Sequence, residues 1–140
     1  DQAEATTLAD KIGVLKEGHL VQIGTPEEIY ENPNSIYVSQ RLGSPKINIL
    51  PGTLLGMDDV PTFGIRPENI TIGNGNHSAK IISIENLGSE TVVALNFKNQ
   101  EILVSIQGNY KSSINETINF EINNQKVLKF DQEGNRIYER

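Results

Sequence analysis

The sequence predicts a mainly β protein in which an antiparallel sheet, closed into a small barrel or sandwich, follows a shorter α/β segment. The first observation is the alternation of apolar and polar residues in TINFEI, residues 117–122, which recurs in residues 91–97 and 101–106. Such alternation puts apolar side chains on one face of a half-buried strand. The second is the short spacing of turn residues between these stretches. The third is a change at Pro51 in the spacing of apolar residues. Before Pro51 both helical and strand-like spacing occur, and after it the spacing is strand-like.

Two units are therefore expected, residues 1–50 with short helices and strands, and residues 51–140 with the sheet. The chain opens with a predicted helix, because Asp1 can cap the first turn and apolar residues then follow at helical spacing as far as Ile12. Gly13 is expected to end this helix. A chain rarely begins in this way, which suggests a cut just upstream of residue 1.

The rest of the first unit is predicted from turn and capping residues. Residues 14–15 and 20–23 favour two short strands around a turn at Glu17-Gly18. TPEE then favours a helix with a capping box, in which Thr25 and Glu28 each bond the other's backbone amide around Pro26. A further short helix is expected over residues 35–42, closed by Gly43. These elements cannot close a core alone, so they suggest the end of a larger α/β unit.

Composition and charge exclude several classes of function. The 140 residues include 36% apolar and 21% charged side chains and no cysteine, ordinary values for a folded soluble domain. No apolar run approaches the roughly 18 residues of a membrane span, so no direct membrane insertion is expected. The net charge of −6 divides into −3 for each unit. Nucleic acid is therefore not an expected partner, because binding its backbone requires a basic surface.

A family resemblance is carried by three stretches of the sequence. Residues 1–50 resemble the last part of the ATP-binding subunit of an ABC transporter of the sugar-importer type. GIRPENI, residues 64–70, and LKFDQEGNRI, residues 128–137, resemble the C-terminal regulatory domain of the same family, called TOBE, which is an OB-like (MOP-like) antiparallel barrel. GSPKIN is similar to the joint between these two domains in members that serve oligosaccharides and glycerol phosphate, and its matching residues are Gly43, Ser44, Pro45 and Asn48.

The resemblance implies a C-terminal regulatory and dimerisation region of a subunit that powers import of a carbohydrate or glycerol-phosphate type solute. The intact parent chain would be a transport ATPase that uses ATP and Mg²⁺. This sequence contains neither the phosphate-binding GxxxxGK[ST] loop nor the Ser-Gly-Gly-Gln signature, so no catalytic, cofactor-binding or metal-binding residue and no cofactor is expected in it. It would lie in the cytoplasm at the inner face of the cell membrane, held there by the permease subunits through the missing ATPase domain.

The stretch most suited to an interaction or regulatory role comprises Gly64, Ile65, Arg66, Pro67 and Glu68. Pro67 disfavours a helical Arg66 and favours an extended run, in which Arg66 and Glu68 project to the same side. The resemblance places that side near a second copy of the chain, and a weak homodimer is expected. The alternative is an internal bond that ties this strand to the barrel.

Two other functions stay open at this stage. The chain could be an independent OB-type module for single-stranded nucleic acid, but such modules stack bases on aromatic side chains in a basic groove, and here aromatic residues are only 6%. It could also hold a small anion in the barrel, a function for which the sequence carries no dedicated signal.

Overall fold

The computed structural model describes residues 10–138, which form antiparallel sheets with two short helices between the second and third strands. In chain order the elements are β1 (Ile12–Lys16), β2 (His19–Gly24), α1 (Pro26–Glu31), α2 (Ile36–Ser39), β3 (Asn48–Pro51), β4 (Thr62–Ile65), β5 (Ile70–Asn86), β6 (Glu90–Phe97), β7 (Gln100–Gln107), β8 (Thr117–Ile122), β9 (Leu128–Phe130) and β10 (Arg136–Ile137). The predicted mainly β, antiparallel class is confirmed. No helix within this part of the chain is long and apolar enough to cross a membrane.

Two four-stranded sheets enclose the main core. Their strand orders are β7-β6-β5-β8 and β10-β9-β4-β3. Phe63 on one sheet and Phe120 on the other are completely buried within the same apolar cluster. The alternation predicted for residues 117–122 is confirmed, because Ile118, Phe120 and Ile122 are buried while their neighbours are exposed.

The third sheet is the hairpin β1–β2. It shows that one predicted boundary, the end of the opening helix at Gly13, is wrong. The predicted turn at Glu17-Gly18 is confirmed, with φ angles of 51° and 81°. Gly13, expected to end a helix, instead pairs with Ile23 inside the hairpin. A Cβ at Gly13 would lie 2.8 Å from Leu20 Cδ1, so the glycine admits the Leu20 side chain across the strand. The earlier residues of the expected opening helix lie outside the described residues.

Capping chemistry fixes the start of α1 as the sequence predicted. The backbone amide of Glu28 donates to Thr25 Oγ1 at 3.1 Å, and the amide of Thr25 donates to Glu28 Oε1 at 3.0 Å. The bond from the Thr25 amide, followed by the interaction with the Thr25 side chain, stabilises the Glu28 carboxylate and so lowers the pKa of Glu28 below its ordinary value. The box orients α1 so that Ile29 enters a small core beneath the β1–β2 hairpin.

The second helix is shorter than expected. It was predicted over residues 35–42 but α2 ends at Ser39. In a longer helix the Ser39 carbonyl would accept from the amide of Gly43; here it accepts from the Arg66 side chain. A tertiary contact therefore replaces the next helical hydrogen bond.

The two expected units are joined by continuous structure. Strand β3 includes Pro51, so the boundary drawn before that residue falls within a strand that pairs with β4. The amide of Ile36 also donates to the carbonyl of Gly134 at 2.8 Å, which attaches α2 to the turn before β10. The division at residue 51 stays a prediction, and the observed contacts cross it.

The loop between β3 and β4 supplies a test of the packing. Gly52 is buried, and a Cβ there would lie 1.8 Å from the carbonyl oxygen of Val60. We expect Gly52→Ala to lower the free energy of unfolding by at least about 2 kcal/mol, because backbone must shift to relieve the clash. Urea denaturation measures the change. Gly56→Ala is the matched control: Gly56 has φ of 74° with open space around it, so only about 1 kcal/mol of backbone strain is expected. Equal effects of the two substitutions would contradict this account.

Candidate functional site

Arg66 lies at the end of β4, where the two expected units meet. Its backbone is extended, with φ of −70° and ψ of 143°, and Pro67 then begins a single 3₁₀ turn, Pro67–Asn69. The prediction of an extended Arg66 is confirmed, whereas Glu68 belongs to the turn. The Arg66 side chain is only 4% exposed. Its guanidinium is thus a buried cation, which must find acceptors to offset the loss of water.

Main-chain carbonyls from both short helices supply those acceptors. Arg66 Nη1 donates to the carbonyls of Ser39 at 3.0 Å and Leu42 at 2.9 Å, and Nη2 donates to the carbonyl of Tyr30 at 3.0 Å. Carbonyls at helix ends have no partner within the helix and carry partial negative charge. One side chain from residues 51–138, here called the β domain, therefore caps the carboxyl ends of α1 and α2 together.

The ring of Tyr30 completes the cover over Arg66. Arg66 Cζ lies 4.0 Å from the ring centroid, and the Tyr30 hydroxyl donates to the Glu68 carboxylate. Burial, followed by the bond to Glu68, raises the pKa of Tyr30. Burial lowers the pKa of Arg66, and the charges of Tyr30, Glu68 and Glu31 act in the opposite direction. An arginine stays protonated in proteins at neutral pH, so the cation persists.

The predicted joint residues lie beside this cluster. Gly43 has φ of 100°, and a Cβ there would lie 3.1 Å from Tyr30 Cε1 and 3.2 Å from Arg66 Nη1. Glycine is therefore required both for the backbone angle and for the close approach of the guanidinium. The exposed Ser44 and the half-buried Pro45, joined by a cis peptide bond, lead from Gly43 to β3.

Asn48 connects the two sheets through its amide group. Its Nδ2 donates to the carbonyls of Ile65 at 3.2 Å and Leu103 at 2.9 Å, and its Oδ1 accepts from the amide of Leu103 at 2.8 Å. Asn48 is 6% exposed. The side chain thus acts as a short piece of strand between β4 and β7, with buried polar atoms satisfied on both sides.

The structure brings most of the candidate residues together, although in different roles. Gly43 lies against Arg66, and the Asn48 side chain donates to the carbonyl of Ile65, the residue before Arg66. Gly64 packs closely, since a Cβ there would lie 3.0 Å from Ile47 Cδ1, and Ile65 is fully buried. In the stretch from Gly64 to Glu68 only Glu68 is exposed. The contacts of Arg66 are internal, and a homodimer through this stretch stays a prediction.

Sequence reasoning did not find the partners of Arg66. They are the backbone carbonyls of Tyr30, Ser39 and Leu42, and a carbonyl has no residue-specific signature. The ion pair between Lys126 and Glu31, at 3.1 Å, is a second unforeseen link between α1 and the β domain. No spacing rule relates residues so distant in the sequence.

Comparison with known proteins identifies the class to which this joint and β domain belong. The family model of the TOBE domain matches residues 63–132, and the chain belongs to this family. The relatives that it matches include proteins named as ATP-binding proteins of solute import or transport, as the resemblance implied. The sn-glycerol-3-phosphate import ATP-binding protein UgpC of Rhizobium meliloti is 33% identical, with 98% of this chain and 45% of the relative covered.

Two further relatives carry sugar-transport names. The alpha-glucoside transport ATP-binding protein AglK of Rhizobium meliloti is 29% identical, with 96% of this chain and 45% of the relative covered. The xylose/arabinose import ATP-binding protein XacK of Haloferax volcanii is 34% identical, with 69% and 32% covered. The chain thus spans less than half the length of these relatives.

Replacement of Arg66 tests the cap on the two helices. We expect Arg66→Lys to lower the free energy of unfolding by about 3 kcal/mol, because a lysine cannot reproduce the planar fork that reaches three carbonyls and leaves some of them buried without a donor. Hydrogen exchange should increase more in α1 and α2 than in β5 to β8. Arg41→Lys is the control, because Arg41 is only half-buried and, among residues 10–138, its side chain donates one long bond, to the Tyr37 carbonyl at 3.3 Å, and lies over the Tyr37 ring. Unchanged exchange in both helices would argue against the cap.

Replacement of Asn48 tests the link between the sheets. We expect Asn48→Ala to cost about 2 kcal/mol, because the partly buried Leu103 amide loses its acceptor and the carbonyls of Ile65 and Leu103 lose a donor. Thermal and urea unfolding give the change. Asn96→Ala removes an exposed amide that accepts one bond from Asn99, and it should cost less than about 1 kcal/mol. A similar loss of unfolding free energy in both variants would contradict the role of Asn48 as a link between the sheets.

Proposed function

We propose that the chain is the C-terminal regulatory and dimerisation region of an ABC-importer ATP-binding subunit that powers uptake of a carbohydrate or glycerol-phosphate type solute. Residues 1–50 would form the end of its ATPase domain and residues 51–140 its TOBE domain. The observation that carries the proposal is the extent of the similarity. The match to the glycerol-phosphate importer subunit covers 98% of this chain, and so includes most of the residues that precede the TOBE match at Phe63.

An apolar surface on the β1–β2 hairpin supports the assignment of the first unit. Leu15, Leu20 and Ile23 are 58%, 57% and 62% exposed. Leu15 is paired with Leu20 and Gly13 with Ile23, so these side chains share the face opposite Ile12 and Val14, which pack on the helices. Large exposed aliphatic side chains on one sheet face are typical of a surface that packs on further protein. The remainder of an ATPase domain is the proposed cover.

The same proposal defines the expected partners. ATP and Mg²⁺ would bind in the ATPase domain of the intact subunit, outside this chain. That domain would contact the transmembrane permease subunits and thereby hold the protein at the cytoplasmic face of the membrane. A second copy would complete the homodimer, and Glu68 is the exposed member of the 64–68 stretch.

A chimera tests the proposal. The chain alone is expected to show no ATP hydrolysis. Joined to the preceding part of the Rhizobium meliloti glycerol-phosphate importer subunit, in place of the matched region, it should give a dimeric, ATP-hydrolysing protein. Sedimentation and phosphate release are the measurements.

A matched chimera separates the contribution of the apolar hairpin face. In the chimera, Leu20→Asp should weaken docking of the first unit on the rest of the ATPase domain and lower solubility or ATP hydrolysis. In the chain alone the position is exposed, so the aspartate stays solvated. ATP hydrolysis by the isolated chain, or a chimera that folds but neither dimerises nor hydrolyses ATP, would contradict the proposed function.

A further inference from the structure

A polar cavity of about 270 Å³ lies where the end of α1 meets the turn before β9. Three basic side chains and three side-chain amides line it: Arg66, Lys126, Arg136, Asn32, Asn69 and Gln125. They come from four separate parts of the chain, so only the folded molecule assembles them. Its size is close to the lower end of small-molecule sites, which start at about 300 Å³.

Arg66 reaches this cavity with hydrogen-bonding capacity to spare. A guanidinium carries five N–H donors, and three are used by the carbonyls of Tyr30, Ser39 and Leu42. The Nε–H is buried with no acceptor among the described residues. That nitrogen is not accessible from the cavity, so a bound group would accept from the second N–H of Nη2, which none of the three bonds uses.

The charge around the cavity is positive although the chain as a whole carries −6. The acidic side chain that lines it is Glu31, which pairs with Lys126 at 3.1 Å. Both partners are nearly half exposed, at 43% and 45%. An exposed pair of this kind is held weakly, so Lys126 can turn to another anion at small cost. Arg136 is fixed by its own bond to the Pro33 carbonyl at 3.2 Å.

We propose that this cavity binds an oxyanion, the phosphate or carboxylate group of a small metabolite. Charge-assisted bonds from an arginine and a lysine are the usual means of holding such groups, and side-chain amides add donors that carry no charge. The bound group would accept from Arg66 and Lys126 and bridge α1 to the turn before β9. The site requires only residues within this chain, so it stands or fails independently of the proposed transport function.

Thermal unfolding of the 140-residue chain at fixed ionic strength tests the site. Inorganic phosphate, sn-glycerol 3-phosphate, acetate and neutral glycerol are each compared with chloride. At roughly ten times its dissociation constant an oxyanion should raise the melting temperature by about 5 °C, and glycerol should not. A stronger response to the phosphate ester than to phosphate identifies a phosphorylated metabolite as the ligand, and the reverse order identifies free phosphate. A response to acetate alone identifies a carboxylate. No shift beyond chloride with any oxyanion overturns the proposal.

A pair of charge-matched variants locates the binding. Lys126→Gln should weaken the response at least fivefold in concentration, and it should fold because Lys126 is exposed. Lys111→Gln removes the same charge from an exposed position outside the cavity and should leave the response unchanged. The guanidinium N–H resonances of Arg66 should shift during the titration of the unaltered chain. Equal effects of the two variants, or stationary Arg66 resonances, would overturn the proposal.

Discussion

The structure depends on a buried cation that the β domain cannot satisfy by itself. The guanidinium of Arg66 at the end of β4 is covered by Tyr30 and bonded to three carbonyls of residues 30–42. A charge removed from water is tolerated only with such compensation. The helices in turn need donors for their final carbonyls. Arg66 therefore needs the helix carbonyls as acceptors, and those carbonyls need Arg66 as a donor. These hydrogen bonds, together with apolar contacts, hold residues 25–43 against the β domain.

This arrangement makes the joint between the two units continuous. Asn48 bonds both β4 and β7, and Gly43 leaves the space in which the guanidinium meets the helix ends. The pairing of β3 with β4 then crosses the expected boundary at Pro51. In the proposed transporter subunit, a movement of the last helices of the ATPase domain would be passed to the TOBE domain through polar contacts of fixed geometry. Hydrogen bonds of fixed direction suit this task better than a sliding apolar surface.

The same residue explains why an oxyanion site would form beside the joint. Three carbonyls exhaust only part of the donor capacity of Arg66, and Lys126 and Arg136 bring further positive charge from the turn before β9 and from β10. The β domain is thus coupled to α1 twice, once by direct bonds and once across a cavity. A ligand there would add to an existing contact rather than create a new one.

The sequence by itself determined the features that depend on neighbours along the chain. The capping box of Thr25 and Glu28, the turn at Glu17-Gly18 and the buried face of residues 117–122 follow from local periodicity and turn chemistry, and each is present. The motif resemblance also identified the TOBE family. The tertiary structure decided where α2 ends and what Arg66 contacts. Both depend on backbone carbonyls brought together from distant positions, and every residue carries a carbonyl, so no sequence pattern marks the ones that are used.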